Sequence, residues 1–77
     1  MSTVQLRRVD PARNMARFYL LTVQPTLFGQ YALVREWGRI GRPGTVRETP
    51  YPTAAEAEAA LVRQRQLKER RGYQSHL

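Results

Sequence analysis

The sequence predicts an α+β fold: a small antiparallel sheet of about four strands, followed by one long C-terminal helix packed on it. Three observations predict it. The first fifty residues hold short runs of β-forming side chains separated by turns rich in Pro, Gly and Asn. Pro50-Tyr51-Pro52 then closes that pattern, because proline cannot donate to a sheet ladder. Beyond it the spacing of apolar residues changes from strand-like to helical, with start and stop signals at either end.

Each element has its own warrant. Val4 to Val9 reads as a short strand, Val4 and Leu6 alternating with Gln5 and Arg7. Asp10-Pro11-Ala12-Arg13-Asn14 is a turn, since proline presets one dihedral and Asp and Asn stabilise bends. Arg17 to Gln24 is the strongest strand, built on Phe18, Tyr19, Leu20, Leu21, Thr22 and Val23. Its apolar groups fall on both parities, which predicts a central strand covered on both faces. Pro25 to Gly29 connects it to a third strand, Gln30 to Arg39. There Tyr31, Leu33, Arg35, Trp37 and Arg39 share one parity, and Val34 and Ile40 on the other parity are expected to point into the core. Gly41, Pro43 and Gly44 make a turn, and Thr45 to Thr49 returns antiparallel.

Thr53 and Glu56 form a capping-box pair at the head of a helix expected from Ala54 to about Arg71. Ala54, Ala57, Ala60, Leu61, Gln64 and Leu67 share the face expected to pack on the sheet. Acidic residues lie early and basic residues late, as the helix dipole favours, and Gly72 suits the position after the last turn. One domain is expected over residues 1–77, with a core from about residue 4 to 73. Leu20, Val34, Ile40, Leu61 and Leu67 are expected to be buried, and the tail from Gln74 to be frayed.

Composition narrows the function. No apolar run approaches the length of a membrane span, and the first ten residues lack a signal-peptide core. No cysteine is present, which removes disulfides, thiol chemistry and thiolate metal sites. A cytoplasmic protein is expected. Thirteen cations face six anions, a net charge of +7, and twelve of the thirteen are arginine. The guanidinium fork grips phosphate through paired hydrogen bonds and stacks on aromatic rings. A polyanionic partner is one reading of this balance; a GC-rich coding sequence, which the abundant alanine also suits, is the other.

The groups that carry catalysis are sparse. The single histidine, His76, sits beside the end of the sequence, no Asp/His/Cys cluster has metal-ligand spacing, and the carboxylates are scattered. Neither an enzyme nor a cofactor is expected. Gly38, Gly41 and Gly44 match neither the dinucleotide nor the P-loop fingerprint; they are turn formers, with an anion-binding nest of backbone N–H groups as a second reading.

Chemistry concentrates in Arg35-Glu36-Trp37-Gly38-Arg39-Ile40-Gly41. Trp37 is the only tryptophan and shares a strand face with Arg35 and Arg39. Two readings fit it: a stacking platform with phosphate clamps beside it, or a half-buried core residue with arginines reaching past its edges.

The segment Trp37-Gly38-Arg39, followed by Ile40-Gly41, resembles the signature that names the WGR domain. Asn14 followed by Arg17-Phe18-Tyr19-Leu20 resembles that family's asparagine before an aromatic pair. Phe28-Gly29, Tyr51-Pro52-Thr53 with Ala57, and Lys68-Glu69-Arg70-Arg71-Gly72-Tyr73 are similar to further landmarks of bacterial members. The likeness runs from about Leu6 to Tyr73. It implies a small antiparallel sheet with a helix against it. It also implies nucleic-acid binding, since in poly(ADP-ribose) polymerases the domain engages DNA ends near a 5′-phosphate and relays binding to a catalytic part. These 77 residues include no such regulatory or catalytic part. The expectation is a non-enzymatic module that binds DNA through Asn14, Arg35, Trp37, Gly38, Arg39 and Arg42 in the following loop. Docking of an acidic protein partner is the alternative.

Overall fold

Four strands form an uninterrupted meander, each joined to the next by a short turn whose chemistry is written in the sequence. The computed structural model describes residues 2–75. Strand β1 spans Thr3–Asp10, β2 Met15–Pro25, β3 Tyr31–Arg39 and β4 Thr45–Tyr51; helix α1 spans Ala54–Arg70, and a two-residue strand β5 spans Gln74–Ser75. The sheet order is β4-β3-β2-β1-β5, with every pairing antiparallel.

Between β1 and β2, Pro11–Arg13 makes one 3₁₀ turn that ends on Asn14 at φ 51°. Asparagine is among the few residues that adopt this left-handed conformation readily. Between β2 and β3, the Thr26 hydroxyl accepts hydrogen bonds from the backbone N–H groups of Phe28 and Gln30, both at 3.2 Å. That turn holds Leu27 and Phe28 outward, 99% and 88% exposed.

The capping pair at Thr53 forms as expected: its hydroxyl oxygen accepts from the Glu56 N–H at 3.2 Å. At the other end the chain closes a Schellman motif. The Tyr73 N–H donates to the Lys68 carbonyl and the Gly72 N–H to the Glu69 carbonyl, both at 3.1 Å, with Gly72 at φ 95°. This reversal throws the chain back across the sheet. Gln74 and Ser75, expected to be frayed, instead pair with Arg7 and Leu6 as a fifth strand. His76 lies outside the described residues.

The core is a single layer between one sheet face and the helix. Leu6, Tyr19, Leu21, Val23 and Leu33 from the sheet meet Ala57, Ala60 and Leu61 from α1. The small alanines let the helix approach closely, and full burial of each large side chain contributes about 1.5–3 kcal/mol.

Three expectations about burial are corrected here. The core-facing parity of β3 is that of Tyr31, Leu33, Arg35 and Trp37; Val34 and Ile40 lie on the opposite face and are only half-buried. Strand β2 is central, but the one helix among the described residues covers only one of its faces, so Leu20 is half-buried too. Leu67 is 39% exposed. Lys68 takes the position on the sheet that Leu67 was expected to fill, since a helical stripe continues from Leu61 through Gln64 to the seventh residue on.

Candidate nucleic-acid interface

The covered face of the sheet changes character along the strands. Cross-strand register sets its side chains in rows. Leu33 and Val23 lie under the helix. The next row is Arg47, Arg35, Leu21 and Val4, then Thr45, Trp37, Tyr19 and Leu6, and finally Arg39, Arg17 and Arg8. On β1 and β2 apolar residues thus give way to Tyr19 and then to arginines, while on β3 and β4 Arg35 and Arg47 already stand beside Leu21, before Trp37.

Where the helix ends, the aromatic row is left partly open. Trp37 stacks on Tyr19 with ring centroids 5.8 Å apart and planes 15° from parallel. Tyr73, returned by the Schellman turn, meets Tyr19 edge-on at 6.1 Å. The Lys68 ammonium lies over the Tyr19 ring, 4.5 Å from its centroid, and 5.8 Å from that of Tyr73. Loss of hydration at this spot, and then repulsion from Arg71 and Arg35, hold its pKa below the ordinary lysine value.

These residues line a groove of about 620 Å³ bounded by Arg17, Tyr19, Trp37, Gly38, Arg39, Thr45, Lys68 and Tyr73. Its lining carries three cations and no carboxylate. The only ion pairs among the described residues, Arg13 with Asp10 and Arg65 with Glu69, involve none of the three. Glu36 and Glu48 lie on the opposite sheet face, and Glu56 and Glu58 at the far end of the helix.

Arg39 is oriented before any ligand arrives. Its guanidinium donates to the Asn14 backbone carbonyl at 3.1 Å and to the Asn14 side-chain oxygen at 3.2 Å. Both Asn14 oxygens thus face Arg39 on β3, from a residue in the left-handed conformation. The remaining guanidinium donors are left for an anion.

The glycines earn their places by close approach. The Cα of Gly44 would lie 3.1 Å from a Cβ on Gly38. A Cβ on Gly44 would lie 2.5 Å from the Trp37 carbonyl oxygen and 2.8 Å from the Phe18 ring. The β3–β4 turn therefore folds flat over β3, with Phe18 beneath it. Gly41 sits at φ 87°, a conformation that glycine adopts without strain.

A family model for the WGR domain matches residues 2–77. The chain belongs to the WGR family. It is 38% identical over 68 residues to an uncharacterized protein of Sinorhizobium fredii, an alignment that covers 88% of this chain and 33% of that protein. This WGR domain thus spans about a third of the length of the curated relative it matches.

Of the residues singled out in the sequence, Trp37, Gly38 and Arg39 line the groove, and Asn14 stands behind them, bonded to Arg39. Trp37 packs against the core, as the second reading expects, and also lines the open groove. Arg35 stands one row deeper, its guanidinium carbon 5.7 Å from the centre of the Trp37 ring and its Nε buried without a hydrogen-bond partner. Arg42 is exposed in the β3–β4 turn and is not among the residues lining the groove. Tyr19, Lys68, Tyr73 and Arg17 were not foreseen at the site. The Schellman signal could have found two of them, because that motif brings the residues at the Lys68 and Tyr73 positions into contact.

Proposed function

We propose that this WGR domain is a non-enzymatic module that binds nucleic acid, DNA above all, in the groove beside Trp37. The observation that carries the reading is the Arg39 guanidinium, held by Asn14, in a groove that the half-buried Trp37 also lines and that holds cations and no carboxylates. A sugar or base stacking on the indole contributes about 1–3 kcal/mol, while Arg39, Arg17 and Lys68 take phosphate oxygens. The three cations of the lining, with no carboxylate beside them, support a role in holding an anion. A terminal 5′-phosphate, with more charge than a phosphodiester, is the preferred ligand. No helix among the described residues is long and apolar enough to cross a membrane, and the cytoplasm is the proposed compartment.

The test is a set of titrations with matched DNA duplexes carrying or lacking a 5′-phosphate, at several salt concentrations. The log–log slope against salt should correspond to three to five phosphate contacts, each adding about 0.9. Arg39→Gln should weaken binding with the fold intact. Absence of binding at low salt, or an Arg39→Gln protein that binds like wild type, overturns the proposal. Recovery of an acidic protein whose binding unlabelled DNA does not displace would replace it with a protein-docking role.

A further inference from the structure

We infer that the bound strand crosses the sheet perpendicular to the β-strands, its phosphates carried by the row Arg39–Arg17–Arg8, so that the interface extends from the Trp37 groove to β1. This rests on the nucleic-acid reading above. It extends the contacts of Arg39 and Arg17 to Arg8 and gives the ligand a direction.

The register itself is the first observation. Arg8 is directly opposite Arg17, and Arg17 is directly opposite Arg39, all on the helix side of the sheet. Like charges placed directly across neighbouring strands destabilise a sheet. Three in line are not a pattern that folding selects, and among the described residues none of the three has an acidic partner. An external anion would relieve the repulsion.

The second observation is that both ends of the row are held. Asn14 fixes Arg39. At the other end Arg8 is half-buried beneath the Schellman turn, where a Cβ on Gly72 would lie 3.2 Å from the Arg8 Nε. Glycine is used there twice over, for its φ of 95° and for the space the guanidinium occupies. A solvated arginine of no function needs no such accommodation.

The third observation is geometric. With strands about 4.8 Å apart, the row spans roughly 10 Å between its outer Cα positions. That exceeds the size of one phosphate and suits consecutive phosphates of one strand. Lys68 stands over the neighbouring aromatic row, between the track and the end of the helix. The nucleic acid therefore lies across the end of α1, with its sugars towards Trp37 and Tyr73 and its phosphates towards the arginines.

The experiment compares salt slopes for wild type, Arg8→Gln, Arg17→Gln, the double variant and Arg63→Gln on one duplex and on one of its single strands. Circular dichroism melts confirm the fold of each variant. Arg8→Gln and Arg17→Gln should each reduce the duplex slope by about 0.9, and the double variant by about twice that; on a single strand the decrement falls to about 0.7 each. Arg8→Lys should restore the slope, since it restores the charge. Arg63→Gln, which removes the same charge from the exposed helix surface, should leave the slope nearly unchanged. If Arg17→Gln lowers the slope but Arg8→Gln matches Arg63→Gln, the track towards β1 is refuted and the groove stands; if Arg17→Gln matches Arg63→Gln as well, the groove contact at Arg17 is refuted with it. If wild type does not bind, the nucleic-acid reading fails and the track with it. A slope lost in Arg8→Gln and not recovered in Arg8→Lys assigns Arg8 to packing and also refutes its place on the track.

Discussion

In the proposed interface Asn14 acts on the ligand through Arg39, and that division of labour can be measured. Asn14→Gly keeps the left-handed backbone at no steric cost and keeps the carbonyl that accepts one of the two Arg39 hydrogen bonds. It removes only the side-chain oxygen that accepts the other at 3.2 Å. A hydrogen bond of this kind contributes about 0.5–1.5 kcal/mol, and the exposed setting favours the lower half of that range. Binding should weaken about two- to fivefold, with little change in stability. Asn14→Ala removes the same oxygen but also places an alanine at φ 51°, which adds about 1–2 kcal/mol of backbone strain and should appear in the urea midpoint. The decisive assay is a double-mutant cycle with Arg39→Gln, read by fluorescence anisotropy against one DNA duplex. If Asn14 works only by orienting the guanidinium, Asn14→Gly should have no further effect once Arg39 is gone. Additive losses would refute the reasoning and make Asn14 a direct contact.

Four other outcomes are expected. Leu61→Ala, at the centre of the helix–sheet layer, should cost about 2–5 kcal/mol in chemical denaturation. Gly44→Ala should cost about 1–3 kcal/mol by overpacking, because its Cβ would collide with the Trp37 carbonyl and the Phe18 ring; unchanged stability would mean the turn shifts freely. Trp37→Ala should lower both stability and binding, since the ring packs on Tyr19, whereas Trp37→Phe should retain most of the stability. Lys68 has its pKa lowered by folding, so between the folded value and about 10.5 the unfolded chain binds more protons. Stability should therefore rise with pH through that interval, and the difference curve against Lys68→Met, followed by urea midpoints from pH 8 to 10.5, should show the rise.

The order and type of the elements were legible in the sequence because their signals are local: the proline and asparagine turn before β2, the Thr53–Glu56 cap, and Gly72 after the helix. The sheet face was not. Strand β3 has apolar side chains on both parities, and Arg35 and Arg39 made the Trp37 side look solvent-facing. The helix covers only part of that side, so one face is core at one end and cationic groove at the other. A period-two pattern cannot express such a gradient. Leu67 misled for a related reason: apolarity selected it, while geometry gave its place to Lys68, whose ammonium finds the Tyr19 and Tyr73 rings. Strand β5 was invisible because Gln74 and Ser75 carry no β signal of their own, and β1 supplies their partner. Asn14 entered through the family resemblance; only the fold shows that its reach ends on Arg39.

The two borders of the sheet are unlike, and each discourages another chain from joining. On one side β4 offers a seven-residue border, but Arg47 and Glu48 interrupt it with charge and Pro50 withholds a donor. On the other, β5 covers Leu6 and Arg7 of β1 and is itself too short to template a neighbour, while Arg8 and Asp10 charge the stretch of β1 beyond it. Such borders resist edge-to-edge growth of the kind that leads to fibres. A strongly basic module drawn to high local concentration along a polyanion crowds against its own copies. With both borders blunted, crowding along the proposed ligand does not template edge-to-edge growth.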